Sequence, residues 1–484
     1  MFFRVLCLLS LFGISQFYFP NSMVFGQFSP IPAVELELAG SVSDGDHAPF
    51  WFTSNSFGKH RLYKNSAIVS LKLSSDRAYT HENMQIQYGL ELTQRLAHEN
   101  QLWLHQGWIS ADFFRLVRLR AGLKEETLGN EFTPLSSGSV IWSGNARPMP
   151  KIEVGTPGYV DVPFSQGKLQ VKGSLAHGWF EQGRFNENVW LHQKYAGIRT
   201  AFDFPLNFTF TFHHFAMWGG VHPTFGQLPN DLESFFKVFF VRKGDEDAPM
   251  SWQENRFGNH LGSRNYGLDW TREKANWKFY FQDVYEDGSG GRMENFPDGL
   301  WGIVYQNKNT TAPLAAVLYE YLQTTDQSGP VHDNELSLRG DDNYFNHGIY
   351  RSGWTHHKQT IGTPFITSPL YNQHIDHPGN IRIWNNRVKV HHIGLMGTLM
   401  PQLSYKLLVS YSENRGVFAS TITLPAVFAF EKPLYQWNGL FRIDYSVPAA
   451  RMGLGLTLAA DTGKMYGNNV GMMLTARYMP FGSL

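Results

Sequence analysis

Cysteine, unbalanced charge and long apolar runs are all scarce in this sequence, and each shortage closes a class of function. The one cysteine among 484 residues is Cys7. It sits inside an N-terminal leader, so the processed chain is expected to carry no disulfide, no thiolate-bound metal and no thiol nucleophile. Lys and Arg number 41, equal to Asp and Glu at 41, and no basic run occurs. A nucleic-acid partner, whose phosphates require a basic face, is therefore excluded. Beyond the leader no stretch approaches the roughly 18 apolar residues of a membrane-spanning helix. No HExxH, G-x-S-x-G or phosphate-loop spacing marks a catalytic centre.

The leader has a short basic start over 1–4, an apolar stretch over 5–19 and the polar break Pro20-Asn21-Ser22. Val24-Phe25-Gly26 then precedes Gln27, with small residues where signal peptidase reads them. A signal peptide over 1–26 and a mature chain over 27–484 follow. Cys7 lies ahead of most of the apolar stretch, so it is badly placed for acylation and leaves with the peptide.

What the chain has in quantity is aromatic residues, 38 Phe, 21 Tyr and 14 Trp, and alternation of apolar with polar residues. Val34, Leu36 and Leu38 alternate with Glu35 and Glu37. Ile86, Tyr88, Leu90 and Leu92 alternate with Gln87, Gly89 and Glu91, and Tyr405, Leu407 and Val409 with Lys406 and Ser410. Period two means strands with one dry and one wet face. A soluble β protein or an outer-membrane barrel would fit, and the C-terminus favours the barrel. Val470, Met472, Leu474 and Ala476 face one way, Met473, Thr475 and Arg477 the other, and the aromatic Phe481 follows. Such an amphipathic terminal strand resembles the sorting signal of outer-membrane barrels, which also need aromatic girdles. The fold class is all-β, a transmembrane antiparallel barrel of even strand number, with both termini periplasmic, long loops and a short loop helix. Leu456 and Leu474 are expected on the lipid face and Lys406 on the lumen face.

Long stretches over 41–63, 129–166, 219–267, 286–300 and 324–368 separate the strands, and segments of this length usually carry function. In one of them Leu232, Phe235, Phe236, Phe239 and Phe240 recur at helical spacing, with Asn230 placed to cap and Glu233 three residues on. Such a helix would fold over or into a barrel mouth, or simply pack against the wall.

Several phrases resemble the capsule assembly protein family (Wzi). They are 183–199 (GRFNENVWLHQKYAGIR), 251–271 (SWQENRFGNHLGSRNYGLDWT), 287–303 (DGSGGRMENFPDGLWGI), 340–364 (GDDNYFNHGIYRSGWTHHKQTIGTP) and 405–416 (YKLLVSYSENRG). The resemblance implies a barrel of about 18 strands, consistent with the reach of this chain. It also implies a non-enzymatic lectin that holds exported capsular polysaccharide at the cell surface. A helical bundle at the periplasmic side, known in that family, has no counterpart in the strand-like run that starts close to Gln27.

Polysaccharide binding asks for aromatic faces beside amides, carboxylates and Arg. The loop candidates are His47 and Trp51; Trp252, Asn259 and His260; and Asp341, Asp342, Tyr344, Trp354 and His356. Each lone aromatic also fits an interfacial girdle or a loop core. Of the pairs His213-His214, His356-His357 and His391-His392, the first and third would point to opposite faces of a strand and so could not chelate one ion. Acidic turns at Asp44-Gly45-Asp46, Asp245-Glu246-Asp247 and Asp341-Asp342-Asn343 follow no calcium-loop pattern. No metal, no cofactor and no nucleic acid are expected, and the partners are surface polysaccharide and outer-membrane lipid around a monomer. The alternatives are a porin-like channel and an outer-membrane hydrolase acting on glycan or lipid.

Overall fold

The computed structural model describes residues 27–28, 32–81, 83–244, 256–329, 342–367, 383–417 and 429–481. The leader, Trp252, Asp341 and the acidic turn over 245–247 lie outside them. The alternating segments form one antiparallel sheet that closes on itself with eighteen spanning strands. These are β1 (Ala33–Ser43), β2 (Ser66–His81), β3 (Met84–Leu96), β4 (Gln101–Phe113), β5 (Val117–Leu123), β6 (Pro150–Gly155), β7 (Leu169–Trp179), β8 (Trp190–Thr200) and β9 (Leu206–Trp218). The second half comprises β10 (Asn259–Thr271), β11 (Ala275–Gln282), β12 (Gly299–Asn307), β13 (Ala316–Gln323), β14 (Val388–Met400), β15 (Leu403–Gly416), β16 (Ala429–Val447), β17 (Met452–Gly463) and β18 (Asn469–Phe481). Two-residue pieces, Gln27–Phe28 and Val160–Asp161, add short pairings to β2 and β7. The ring closes where β1 meets β18, with Leu38 opposite Ala476 and Val42 opposite Met472. No helix among the described residues is long and apolar enough to cross a membrane; strands do the crossing.

Turns at 114–116, 201–205, 272–274, 401–402 and 448–451 gather at one end, with the start of β1 and the end of β18, and the long connections at the other. Outer-membrane barrels keep short turns in the periplasm and long loops outside, so the long-loop end is extracellular. The faces follow the alternation. Leu36, Leu38, Leu456, Leu458, Val470, Met472 and Leu474 are exposed on the outside, while Ser70, Thr93, Gln106, Ser110 and Asn438 turn inward and are buried. Lys406, opposite Arg442, is on the lumen side. His213 and His214 do take opposite faces, as do His391 and His392: His391 meets the Tyr319 hydroxyl at 2.8 Å outside, while His392 reaches the plug described next.

The extracellular half of the lumen is filled by folded loops. Segment 44–65, with a short helix α1 (Phe50–Thr53), segment 124–149 and the described parts of 324–387 share one apolar core that includes Trp51, Leu135, Val140, Trp142, Tyr344, Trp354 and Phe365. Phe50 packs 4.9 Å from Phe365 and 5.2 Å from Tyr466, and Trp142 lies 5.3 Å from the lumen-facing Phe215. Polar wall groups meet the plug's backbone. Glu320 of β13 accepts from Ser136 Oγ and Ser137 N, both at 2.7 Å, and from the Tyr280 hydroxyl. His392 of β14 donates to Leu135 O at 2.7 Å. Buried backbone needs such partners, and the barrel's inner face supplies them.

The amphipathic helix lies elsewhere than over a mouth. This helix, α2 (Leu232–Phe239), starts one residue later than the Asn230 cap implied, since Asp231 accepts from Ser234 N at 2.8 Å. It clasps the outer wall. Phe235 and Phe239 pack 5.6 and 5.5 Å from His192, which shares the outward face of β8 with Ile198, and Phe235 lies 5.9 Å from Trp218 of β9. Lys194 donates to Phe239 O. The opposite stripe, Leu232, Phe236 and Phe240, is exposed. Helical spacing predicted the element; its side was set by the outward aromatics it could cover.

Candidate functional site

Six of the ten residues expected to bind sugar converge on the plug, but as its interior. Trp51, Tyr344, Trp354 and His356 are almost wholly buried, and His47 and Asp342 nearly so. His47 places its ring nitrogens 2.9 and 3.0 Å from the carbonyls of Ala48 and Tyr466. Asp342 accepts from Ser328 Oγ at 2.8 Å. The Tyr344 hydroxyl accepts from Asn295 at 2.6 Å and lies 3.2 Å from Asp298. Burial pushes the Asp298 carboxyl up to about 6 against two backbone amides that hold it charged. Asn259 and His260 are strand residues, not loop residues: β10 begins at Asn259, and the glycine-rich wording hid it. Gly262 is there because the Tyr285 ring lies where a Cβ would stand. His260 faces outward near α2, 2.9 Å from His214 Nε2.

Around His356 the plug carries an ion-pair cluster. Glu181, from the 180–189 loop, meets His356 Nδ1 at 2.6 Å, accepts from His357 N at 2.8 Å and pairs with Arg184 at 3.3 Å. Burial alone would raise its pKa; His356 and Arg184 outweigh that and hold it far below the ordinary range. Arg184 donates to the carbonyls of Gly353, at 2.9 Å, and Thr355, at 2.6 Å. The carboxylate is fully engaged in bracing loop against loop.

A second cluster opens at the extracellular rim and was not visible as a motif. Lys59 lies 2.8 Å from Glu91 and 3.1 Å from Glu125, and His105 lies 2.7 Å from Glu125. The ligand atoms of Glu91, His105 and Glu125 lie within 4.8 Å of one another, as in a metal site, but the Lys59 ammonium already supplies the positive charge. Against the effect of burial, His105 and Lys59 bring Glu125 down to about 2. His105 accepts from Trp103 Nε1 at 3.2 Å, which fixes the indole. Beside this indole three guanidinium groups gather. Arg147 lies 4.1 Å from the Trp103 ring centre, and Arg95 lies 5.3 Å from Trp103 and 5.3 Å from Tyr63. Gln101 Oε1 accepts from both, at 2.8 Å from Arg95 and 2.9 Å from Arg147. Arg61 donates to His357 O at 3.0 Å. Among the described residues no carboxylate pairs with Arg61 or Arg147, and the Nε of each is buried without an acceptor. Burial first, then Arg61 and Arg95, push Arg147 down to about 9. These residues come from β3, β4 and two plug segments, so no sequence spacing announces them.

Comparison with known proteins places this architecture. Among solved structures the chain is similar to Wzi of Escherichia coli, an outer membrane protein involved in group 1 capsule assembly and described as a carbohydrate binding beta-barrel. The TM-score is 0.58 at 14% identity over 93% of this chain and 85% of that one; at that identity the likeness shows the fold. OprD and OccK5 of Pseudomonas aeruginosa align at 10% identity with TM-scores of 0.49 and 0.47, over 94% and 93% of this chain and 95% and 97% of theirs, and carry no functional weight. No curated protein matches the chain. The model of the capsule assembly protein Wzi family matches residues 53–366, well over half the sequence and including most of the plug, so this outer-membrane barrel belongs to the capsule assembly protein Wzi family.

Proposed function

We propose that the barrel holds capsular or other surface polysaccharide at the cell surface and does not change it chemically. The observation that carries this reading is the plug. A porin's lumen is a water-filled path, whereas here the extracellular half is packed with aromatic side chains and the loops build a fixed outward face. Carbohydrate binding by Escherichia coli Wzi supports the same reading. In this view His47, Trp51, Asp342, Tyr344, Trp354 and His356 act by framing that face, with Asp341 next to Asp342 in sequence and Trp252 in the same long connection that precedes β10, and Asn259 and His260 serve the wall. The barrel works as a monomer in outer-membrane lipid after loss of 1–26. Many weak contacts along a repeating polymer give avidity that one contact cannot.

The test is retention. Cells lacking the protein should release capsular material of unchanged length into the medium, and the wild-type chain should restore attachment. Full attachment without the protein would refute retention. Shortening of the polymer by purified protein would move the reading to the hydrolase.

A further inference from the structure

We propose that Arg61, Arg95 and Arg147, gathered beside Trp103 and Tyr63 at the extracellular rim, form a binding site for a carboxylate-bearing sugar unit. The inference deepens the retention reading and rests on it for the ligand being a glycan. Like charges brought together out of water repel, and burial adds a desolvation cost, so such a cluster normally carries its own carboxylates. The neighbouring Lys59, Glu91, Glu125 and His105 do so, within 2.7 to 3.1 Å. Arg147 is buried and has instead a neutral amide, Gln101, shared with Arg95. The Nε donors of Arg61 and Arg147 have no acceptor among the described residues, although buried donors nearly always find one. Among the described residues nothing supplies that acceptor to Arg61 or Arg147, and an anion bound from outside the chain would.

Its geometry is constrained. A guanidinium presents a planar fork that matches a carboxylate through two parallel hydrogen bonds, and is the usual choice where that group must be recognised. Tyr63 is half-buried, with its hydroxyl 3.1 Å from the exposed Glu99, and Gln101 is exposed, so the cluster opens to solvent. Tyr63 and Trp103 offer ring faces for the apolar side of a pyranose, and Gln101 an amide for its hydroxyls. A uronate residue carries all three complementary features. Inorganic phosphate shares only the charge.

Titration calorimetry on the purified full-length barrel in detergent tests the site with three probes: a galacturonate hexamer, the neutral maltohexaose and inorganic phosphate. Uronate binding is expected to weaken at least roughly tenfold in Arg61→Gln/Arg147→Gln and to lose most of its salt dependence. Gln101→Glu places a carboxylate between Arg95 and Arg147. It should keep the barrel folded, as read by heat-modifiable gel migration, and also abolish uronate binding. Equal uronate affinity in wild type and Gln101→Glu overturns the proposal, as does maltohexaose or phosphate binding as tightly as uronate. In the maltohexaose case glycan retention stands and only acid selectivity falls. If none of the saccharides binds, both readings fall.

Discussion

A charge placed at Leu474 should separate the lipid face from the lumen face. Leu474 is the sixth residue of β18, a 13-residue strand, so it sits near mid-membrane. It points outward, 56% exposed, opposite Leu456 on β17 and Gly40 on β1. A Cβ on Gly40 would meet nothing within 4 Å, so an arginine at 474 finds lipid and no partner. The cost of Arg on the lipid face at the midplane is about 2–4 kcal/mol, falling toward about 0–1 kcal/mol near the interfaces. Tyr478→Arg, four residues nearer the periplasmic rim, should thus cost less than Leu474→Arg. Lys406→Gln removes one of several cations, Arg442 and Arg477 among them, that surround Asp444 in the lumen; it should change stability by less than about 0.5 kcal/mol. Urea titration of the barrel folded into lipid vesicles, followed by tryptophan fluorescence, reads these differences. With a slope of about 2 kcal/mol per molar, Leu474→Arg lowers the midpoint by roughly 1–2 M. Equal midpoints for Leu474→Arg and Lys406→Gln would mean that the faces are reversed, and equal costs at 474 and 478 would remove the depth argument.

Two further outcomes concern the plug. Glu131, in the 124–149 segment, accepts from Gln282 at 2.7 Å, and burial pushes its carboxyl up to about 7 from an ordinary 4.5. The folded state therefore holds the proton more tightly than the unfolded chain, and its penalty is absent below about pH 4.5, grows as pH rises and is complete above about 7. Glu131→Gln should stabilise by about 1–3 kcal/mol at pH 8 and do nothing at pH 4, and the same shift in urea midpoint at both pH values would contradict this. Trp354→Ala empties a site in the plug core where no side-chain surface is exposed, at a cost of about 3–5 kcal/mol to plug packing. Protease cleavage within 324–387 should rise while heat-modifiable migration of the barrel persists, and a barrel that unfolds together with the plug would show that the two are one cooperative unit.

The strands were readable because one physical constraint acts on every one of them: lipid outside and water or polar plug inside. Leu456, Leu474 and Lys406 took the faces their alternation implied, and the terminal strand ends on Phe481. Where two surfaces make the same demand, the alternation says nothing. A tryptophan that stacks on sugar and a tryptophan that fills a plug both ask for an apolar neighbour, so Trp51, Tyr344 and Trp354 read equally well as either, and the structure puts them inside. The same ambiguity hid the side of α2, whose Phe235 and Phe236 would serve a lumen or an outer wall alike. The start of β10 was obscured by Gly258 and Gly262, of which Gly262 makes room for Tyr285. The arginine cluster left no local trace because Arg61, Arg95 and Arg147 belong to separate segments that meet only in three dimensions.

Plug and rim site depend on each other. Trp103 and Arg95 stand on the barrel wall and would persist in an empty barrel, but Arg147 and the His357 carbonyl that positions Arg61 arrive with the folded loops. Closing the lumen therefore does two things with one set of residues. It removes a path for water and solutes, and it brings separate cations to the rim at fixed distances around an indole held by His105. Preorganisation of this kind matters most for a repeating polymer, because each unit contributes little and an ordering cost repeated at every contact would cancel it. The carboxylates around the rim site are likewise engaged: Glu91, Glu125 and Glu181 are each tied to a lysine, histidine or arginine, and Glu99 accepts from the Tyr63 hydroxyl, so among the described residues none forms an ion pair with Arg61 or Arg147, as a carboxylate that occupied the site itself would.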